Sequence, residues 1–311
     1  MRRIVKNTID KVRIVEVGLR DGLQNEKMIV PTNVKVELLK RLSVSGLKSI
    51  EVGSFVSPKW VPQMADTDIL CKYIEKQKRT YTGDKRLNTN GICYSVLTPN
   101  KIGLEKALLW NGINEVAIFG AASEKFSKKN INCSIDESLD RFEPMVNYAI
   151  LNGKRVRGYV SCVLGCPFEG EVDPKKVADV TKKMLDMGCY EVSLGDTIGA
   201  GSNGTTAKLL EYLINKEKIP ASVLAGHFHD TGGQALSNIR VALQYGVRTI
   251  DSSVSGLGGC PYAGEEASGN VATEDVLYML KEMGLETGVN INKILEASNY
   301  IDRVLGRKKV K

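Results

Sequence analysis

Ala221-Ser-Val-Leu-Ala-Gly-His-Phe-His-Asp-Thr-Gly-Gly-Gln234 contains the only two histidines of the chain, His227 and His229. Small and apolar residues lead into the pair, and Asp230, Thr231 and two glycines follow it. That pattern reads as a buried strand running into a turn. Side chains two apart on a strand share a face, so both imidazoles project together from the strand end. Neutral imidazole is the commonest protein metal ligand, although a hydrogen-bonded pair in a core would have the same spacing. The choice depends on what the rest of the chain brings to the same place.

Seven further short runs of strand character surround this one. Val12-Arg-Ile-Val-Glu-Val-Gly18, Ser49-Ile-Glu-Val-Gly-Ser-Phe55, Gly91-Ile-Cys-Tyr-Ser-Val-Leu97 and Glu115-Val-Ala-Ile-Phe-Gly120 come first. Val156-Arg-Gly-Tyr-Val-Ser-Cys-Val163, Tyr190-Glu-Val-Ser-Leu-Gly195 and Arg248-Thr-Ile-Asp-Ser-Ser-Val254 complete the set. Helical patterns separate most of them, at residues 34–45, 101–110, 135–151 and 174–187. Strict alternation of strand and helix implies a parallel sheet with right-handed crossovers. Eight such units over about 250 residues predict a (β/α)8 TIM barrel, with a doubly wound open sheet as the alternative. Helices at 274–283 and 291–304 follow the last strand. No linker, repeat or low-complexity segment divides the chain. The expectation is one catalytic domain over 1–311, with 271–311 a helical C-terminal appendage.

The polar clusters agree with a barrel, whose chemistry sits where strands end and βα loops begin. Strand one ends in Gly18-Leu-Arg-Asp-Gly-Leu-Gln-Asn-Glu26, strand two carries Glu51, and strand six ends in Ser193-Leu-Gly-Asp-Thr197. Asp21 with two imidazoles suits a divalent metal that keeps open positions; alone it would cap a turn or pair with Arg20. Arg20 is a fixed cation able to hold an anion or a developing enolate oxygen, and Glu51 is a plausible orienter for it. Gly256-Leu-Gly-Gly-Cys-Pro-Tyr-Ala263 packs three glycines ahead of Cys260, which suits either a tight turn or a lid that delivers a thiol. Asn270 would be a helix cap or, through its amide oxygen, a fourth ligand.

Composition excludes several classes. Of 311 residues, 42% are hydrophobic and 25% charged, which fits a globular protein with a sizeable core. No apolar run approaches a membrane span, and no nucleic-acid motif is present. The net charge of +7 is dispersed and would suit an anionic substrate or ordinary surface. Seven cysteines, an odd number, suggest reduced thiols. The expected compartment is the cytoplasm, or the mitochondrial matrix for a processed form.

Several of these segments together resemble 3-hydroxy-3-methylglutaryl-CoA lyases. They are Glu16-Val-Gly-Leu-Arg-Asp-Gly-Leu-Gln-Asn-Glu26, Ser54-Phe-Val-Ser-Pro-Lys-Trp-Val-Pro-Gln-Met64, Phe119-Gly-Ala-Ala-Ser-Glu124, Lys128-Lys-Asn-Ile-Asn-Cys-Ser134, Ser193-Leu-Gly-Asp-Thr-Ile-Gly199, His227-Phe-His-Asp-Thr231 and the Cys260 loop. The resemblance implies retro-Claisen cleavage of 3-hydroxy-3-methylglutaryl-CoA to acetoacetate and acetyl-CoA, as in leucine breakdown and ketone-body formation. It also implies Mg²⁺ or Mn²⁺ on Asp21, His227, His229 and Asn270. Arg20, Asp21, Glu51, Asp196, His227 and Cys260 would be catalytic, and Arg20, Lys27, Ser54 and Ser193 would contact substrate. A homodimer is implied, with no nucleic-acid or membrane partner. The superfamily also contains isopropylmalate and homocitrate synthases, so a condensing synthase is the alternative, as is a lyase for longer branched 3-hydroxyglutaryl-CoA esters. A His-x-His zinc hydrolase would need more histidines than this chain has. Two departures stand out: in His229-Asp-Thr-Gly-Gly-Gln234 a glycine replaces the tyrosine of the family's usual His-Asp-Thr-Tyr-Gly-Gln, and one extra residue separates Cys260 from Asn270.

Overall fold

Eight strands pair in chain order and close on themselves. They are β1 (Arg13–Glu16), β2 (Ser49–Ser54), β3 (Cys93–Leu97), β4 (Glu115–Ala121), β5 (Arg155–Ser161), β6 (Glu191–Asp196), β7 (Leu224–Phe228) and β8 (Thr249–Ser252). Every pairing is parallel, and β1 pairs with both β2 and β8, which makes a barrel rather than an open sheet. This computed structural model describes residues 10–79, 91–259 and 269–307.

The helices form the outer ring: α1 (Thr32–Ser43), α2 (Thr67–Arg79), α3 (Lys101–Leu108), α4 (Glu124–Ile131), α5 (Ile135–Leu151), α6 (Pro174–Asp186), α7 (Asn203–Leu210), α8 (Ala235–Gln244), α9 (Thr273–Glu282) and α10 (Ile291–Leu305). Their starts are written locally. Asn100, Ser123, Ser134 and Asp173 each accept an N–H of the following first turn, and Ser134 forms a capping box with Glu137. α9 follows β8 as α1 follows β1, and α10 packs against α1 and α9. Among the described residues, no helix is long and apolar enough to cross a membrane.

Alternation along each strand sends one set of side chains outward. Ile14, Ile50, Val52, Val96, Val116, Ile118, Val156, Val160, Val192, Leu194, Leu224 and Ile250 join the helices in one apolar core. Each such burial contributes roughly 1.5–3 kcal/mol. The other set faces the bore, and there the chain departs from the usual layers of branched hydrocarbon. Arg13, Arg157, Glu191, Ser193, His227 and Asp251 bond across it instead.

Glu16, at the end of β1, gathers the rim. Its Oε1 accepts the N–H groups of Gly18 (2.8 Å) and Val254 (2.9 Å), and its Oε2 accepts the Thr273 hydroxyl (2.7 Å). One carboxyl therefore joins the turn after β1, the loop after β8 and the start of α9. Burial outweighs these three donors and pushes Glu16 up to about 7 from an ordinary 4.5. Between those values the folded chain keeps a proton that the unfolded chain has released, so stability falls as pH rises through the window. Glu16→Gln cannot titrate. Urea unfolding at about pH 5 and about pH 7.5 should show the wild type losing on the order of 2–3 kcal/mol relative to the variant. Parallel pH dependences would show that Glu16 ionises without penalty.

Candidate metal and active site

His227 lies on β7, and His229 is the first residue beyond that strand, still extended and bridged to Asn270. The spacing of two is therefore kept on one face. The Nε2 atoms of His227 and His229 stand 3.6 Å and 3.9 Å from Asp21 Oδ2. Asp21 comes from a wide π-type turn, Gly18–Gly22, closed by the Gly22 N–H on the Val17 carbonyl; such turns concentrate at functional sites. Asn270 donates from Nδ2 to the same Asp21 oxygen at 2.8 Å. Gly258, at φ +123°, passes so close that a Cβ there would sit 2.8 Å from Asn270 Nδ2, so glycine is required for the loop to close over the asparagine.

Arg20 is set by three groups. Its Nε donates to Glu51 Oε2 (2.6 Å), its Nη1 to Asp21 Oδ1, and its guanidinium lies 5.1 Å from the Tyr159 ring centre. The Tyr159 hydroxyl donates to the same Glu51 oxygen at 3.1 Å. Glu51 is wholly buried and orients Arg20 from below.

Beneath His227 stands a second set of residues. Asp251 Oδ2 faces His227 Nδ1 at 3.2 Å and accepts from Ser193 Oγ at 2.8 Å. Arg157 grips both Asp251 oxygens, at 3.0 Å and 2.7 Å, and donates through Nε to Glu191 Oε1 at 2.7 Å. Asp251, Arg157 and Tyr159 are not legible as site residues in the sequence, because each is one polar residue in a strand. The signal available was a buried-type strand carrying an unexplained charge.

These groups open onto a cavity of about 720 Å³, lined among others by Arg20, Asp21, Ser54, His227 and His229. Glu51 and Asn270 touch lining residues. Ser193 and Asp196 lie behind the lining: Ser193 bonds Asp251, and Asp196 accepts the N–H groups of Ala200 (3.1 Å) and Gly201 (2.9 Å), shaping the loop after β6. Lys27 is exposed and does not line the cavity, whereas Lys129, Asn130 and Asn132 do. Cys260 and the segment with the extra residue lie outside the described residues; Gly259, just before the thiol, reaches the cavity wall and accepts from Asn25 Nδ2 at 3.0 Å. Gly232, at the position of the family's tyrosine, is exposed on a turn and does not line the cavity; a Cβ there would meet the Gly199 carbonyl oxygen at 3.3 Å. A second cavity of about 980 Å³, more apolar, adjoins the first and shares Trp60, Pro99, Phe119 and Ile131 with it.

The donor set fits a divalent ion. One carboxylate and two imidazoles each offer a ligand atom within 4.8 Å of the others. Burial opposes charge on Asp21, but Arg20 and the imidazoles win and hold its carboxyl well below the usual range. Burial and neighbouring His227 push His229 down to about 4, so it is a neutral imidazole at neutral pH. For His227 burial is outweighed by Asp251 and Asp21, which raise it. The Asp21 carboxylate and the neutral His229 imidazole are forms a metal requires, and metal binding at His227 must displace the proton that its two carboxylate neighbours favour.

The HMGL-like family model matches residues 11–301. The mitochondrial hydroxymethylglutaryl-CoA lyase of Bos taurus is 56% identical over 298 residues, covering 96% of this chain and 87% of the relative. The solved hydroxymethylglutaryl-CoA lyase of Pseudomonas aeruginosa superposes with a TM-score of 0.88 at 51% identity, covering 97% of this chain and 96% of the other. An HMG-CoA lyase from Acinetobacter baumannii, solved with coenzyme A and 3-methylmalate, gives 0.84 at 32% identity, covering 96% and 92%.

His229→Ala removes one donor from this set and should weaken Mn²⁺ binding by at least about 10-fold, read by calorimetric titration of the chelator-stripped protein. An unchanged affinity would place the ion elsewhere.

Proposed function

The chain belongs to the HMGL-like family of hydroxymethylglutaryl-CoA lyases, and from that premise we propose how its own residues carry out the family reaction. It cleaves 3-hydroxy-3-methylglutaryl-CoA to acetoacetate and acetyl-CoA. The observation that carries the reading is the convergence of one fixed cation, Arg20, with the Asp21–His227–His229 set on a single cavity.

The bond that breaks joins C2, next to the thioester, to C3, which bears the hydroxyl. The C3 hydroxyl loses its proton, its oxygen becomes the ketone of acetoacetate, and the C2–C3 electron pair moves onto the thioester as an enolate. A proton delivered to C2 then completes acetyl-CoA. Asp21, His227, His229 and Asn270 would hold Mg²⁺ or Mn²⁺, which supplies Lewis acidity toward the hydroxyl and carboxylate oxygens when bound. Asp21 takes the hydroxyl proton on a carboxylate oxygen; His227, 3.6 Å from it, offers Nε2 to the metal and keeps its own proton on Nδ1, so it has no lone pair for a second one.

Arg20 offers permanent positive charge to the enolate oxygen. Glu51 and Asp21 hold its pKa above the ordinary value despite burial, and Glu51 with Tyr159 fixes its direction before substrate arrives. Such preorganised charge is where a dry site gains most. Cys260 serves as the acid toward C2. Lys129, Asn130 and Asn132 line the cavity and suit the polar CoA portion. A homodimer is part of the same proposal, by likeness to the family. The cytoplasm is its proposed compartment.

Purified protein stripped with a chelator should release little acetoacetate from 3-hydroxy-3-methylglutaryl-CoA, and added Mn²⁺ or Mg²⁺ should restore release; no cleavage in either state would sink the assignment. Arg20→Met should lower kcat by roughly 10²–10³-fold. Cys260→Ala should cut turnover by about 10²-fold or more and leave Mn²⁺ binding intact, and a fully active Cys260→Ala would remove the thiol from the mechanism.

A further inference from the structure

We propose that Asp251, clamped by Arg157 and Ser193, is the positioning residue that makes His227 a metal ligand. The inference rests on the metal-site reading above and adds residues that never touch the cavity. Asp251 lies on β8 with its side chain fully buried. Its Oδ1 accepts from Arg157 Nη2, and its Oδ2 accepts from Arg157 Nη1 and Ser193 Oγ while facing His227 Nδ1. A carboxylate so engaged can only accept, so the imidazole proton sits on Nδ1. The lone pair is then on Nε2, on the side of Asp21 and His229. The same contact fixes the ring plane and raises the basicity of the donor nitrogen.

Arg157 meets the buried charge of Asp251, its guanidinium donating to both carboxylate oxygens at 3.0 Å and 2.7 Å. Arg157 is itself pinned from below by Glu191, which binds Arg13. Three ion pairs and a hydroxyl therefore stand behind one ring nitrogen.

The test is a double-mutant cycle read by Mn²⁺ electron paramagnetic resonance titration of chelator-stripped protein, with folding checked by circular dichroism. Asp251→Asn should weaken Mn²⁺ by about 10–100-fold in the wild-type background. In a His227→Ala background the same change should cost less than about 3-fold, because the residue it positions is gone. A general structural defect would cost the same in both. Ser193→Ala removes one hydrogen bond and no charge, and gives the same cycle with a smaller step of about 3-fold should Asp251→Asn fail to fold. If wild type binds Mn²⁺ and both variants bind it equally well, or lose the same factor in both backgrounds, the positioning role is wrong while the metal site stands. If wild type binds no Mn²⁺, the metal reading fails and takes this inference with it.

Discussion

The bidentate pair of Arg157 and Asp251 spans the bore from β5 to β8 and sets the terms for everything above it. A barrel interior is ordinarily filled by Val, Ile and Leu. Filling it with ions is expensive unless every charge is met, since removing one partner of a buried pair costs about 3–5 kcal/mol. Here the partners are met in sequence: Arg13 with Glu191, Glu191 with Arg157, Arg157 with Asp251 and Asp251 with His227. Planar guanidinium forks permit this where lysines would not. The hydrocarbon that stabilises the fold lies between the sheet and the helices, which leaves the bore available for chemistry.

Directed charges at the floor become a directed site at the rim. His227 inherits its orientation from β8, and Arg20 inherits its own from β2 and β5 through Glu51 and Tyr159. Rigid strands therefore hold the groups that must be precise. Loops supply the rest of the site: the Asp21 turn, the glycine-rich run ending at Gly259, and the segment carrying Asn270. Glu16 ties the bases of all three together.

Much of this was legible in the sequence. Alternating strand and helix gave the barrel because βα units leave no other closed solution of that length, and the helix at Ile135–Leu151 is where its apolar pattern places it. Asp21, His227 and His229 were legible because strand ends are where a barrel displays polar groups. Arg157 and Asp251 were not. In Val156-Arg-Gly-Tyr159 and Thr249-Ile-Asp-Ser252 a charge beside an apolar residue looks like a solvent-facing position. Only closure of the sheet shows that both faces are buried and that the partners come from non-adjacent strands. The same blindness displaced Ser193 and Asp196 by one layer, since position along a strand is readable but depth behind the cavity wall is not. Lys27 stands exposed outside the cavity that Lys129 lines for the same reason: which lysine reaches the cavity depends on how the loops fold.

The central claim is that this column of charge ends in a metal held by Asp21, His227 and His229. Anomalous diffraction at the manganese edge from a crystal soaked in MnCl₂ tests it most directly. The account predicts one strong peak per chain, within bonding distance of an Asp21 oxygen and both Nε2 atoms, with His227 Nδ1 still on Asp251. A peak that leaves either histidine unligated, or no peak at the rim at all, would contradict it.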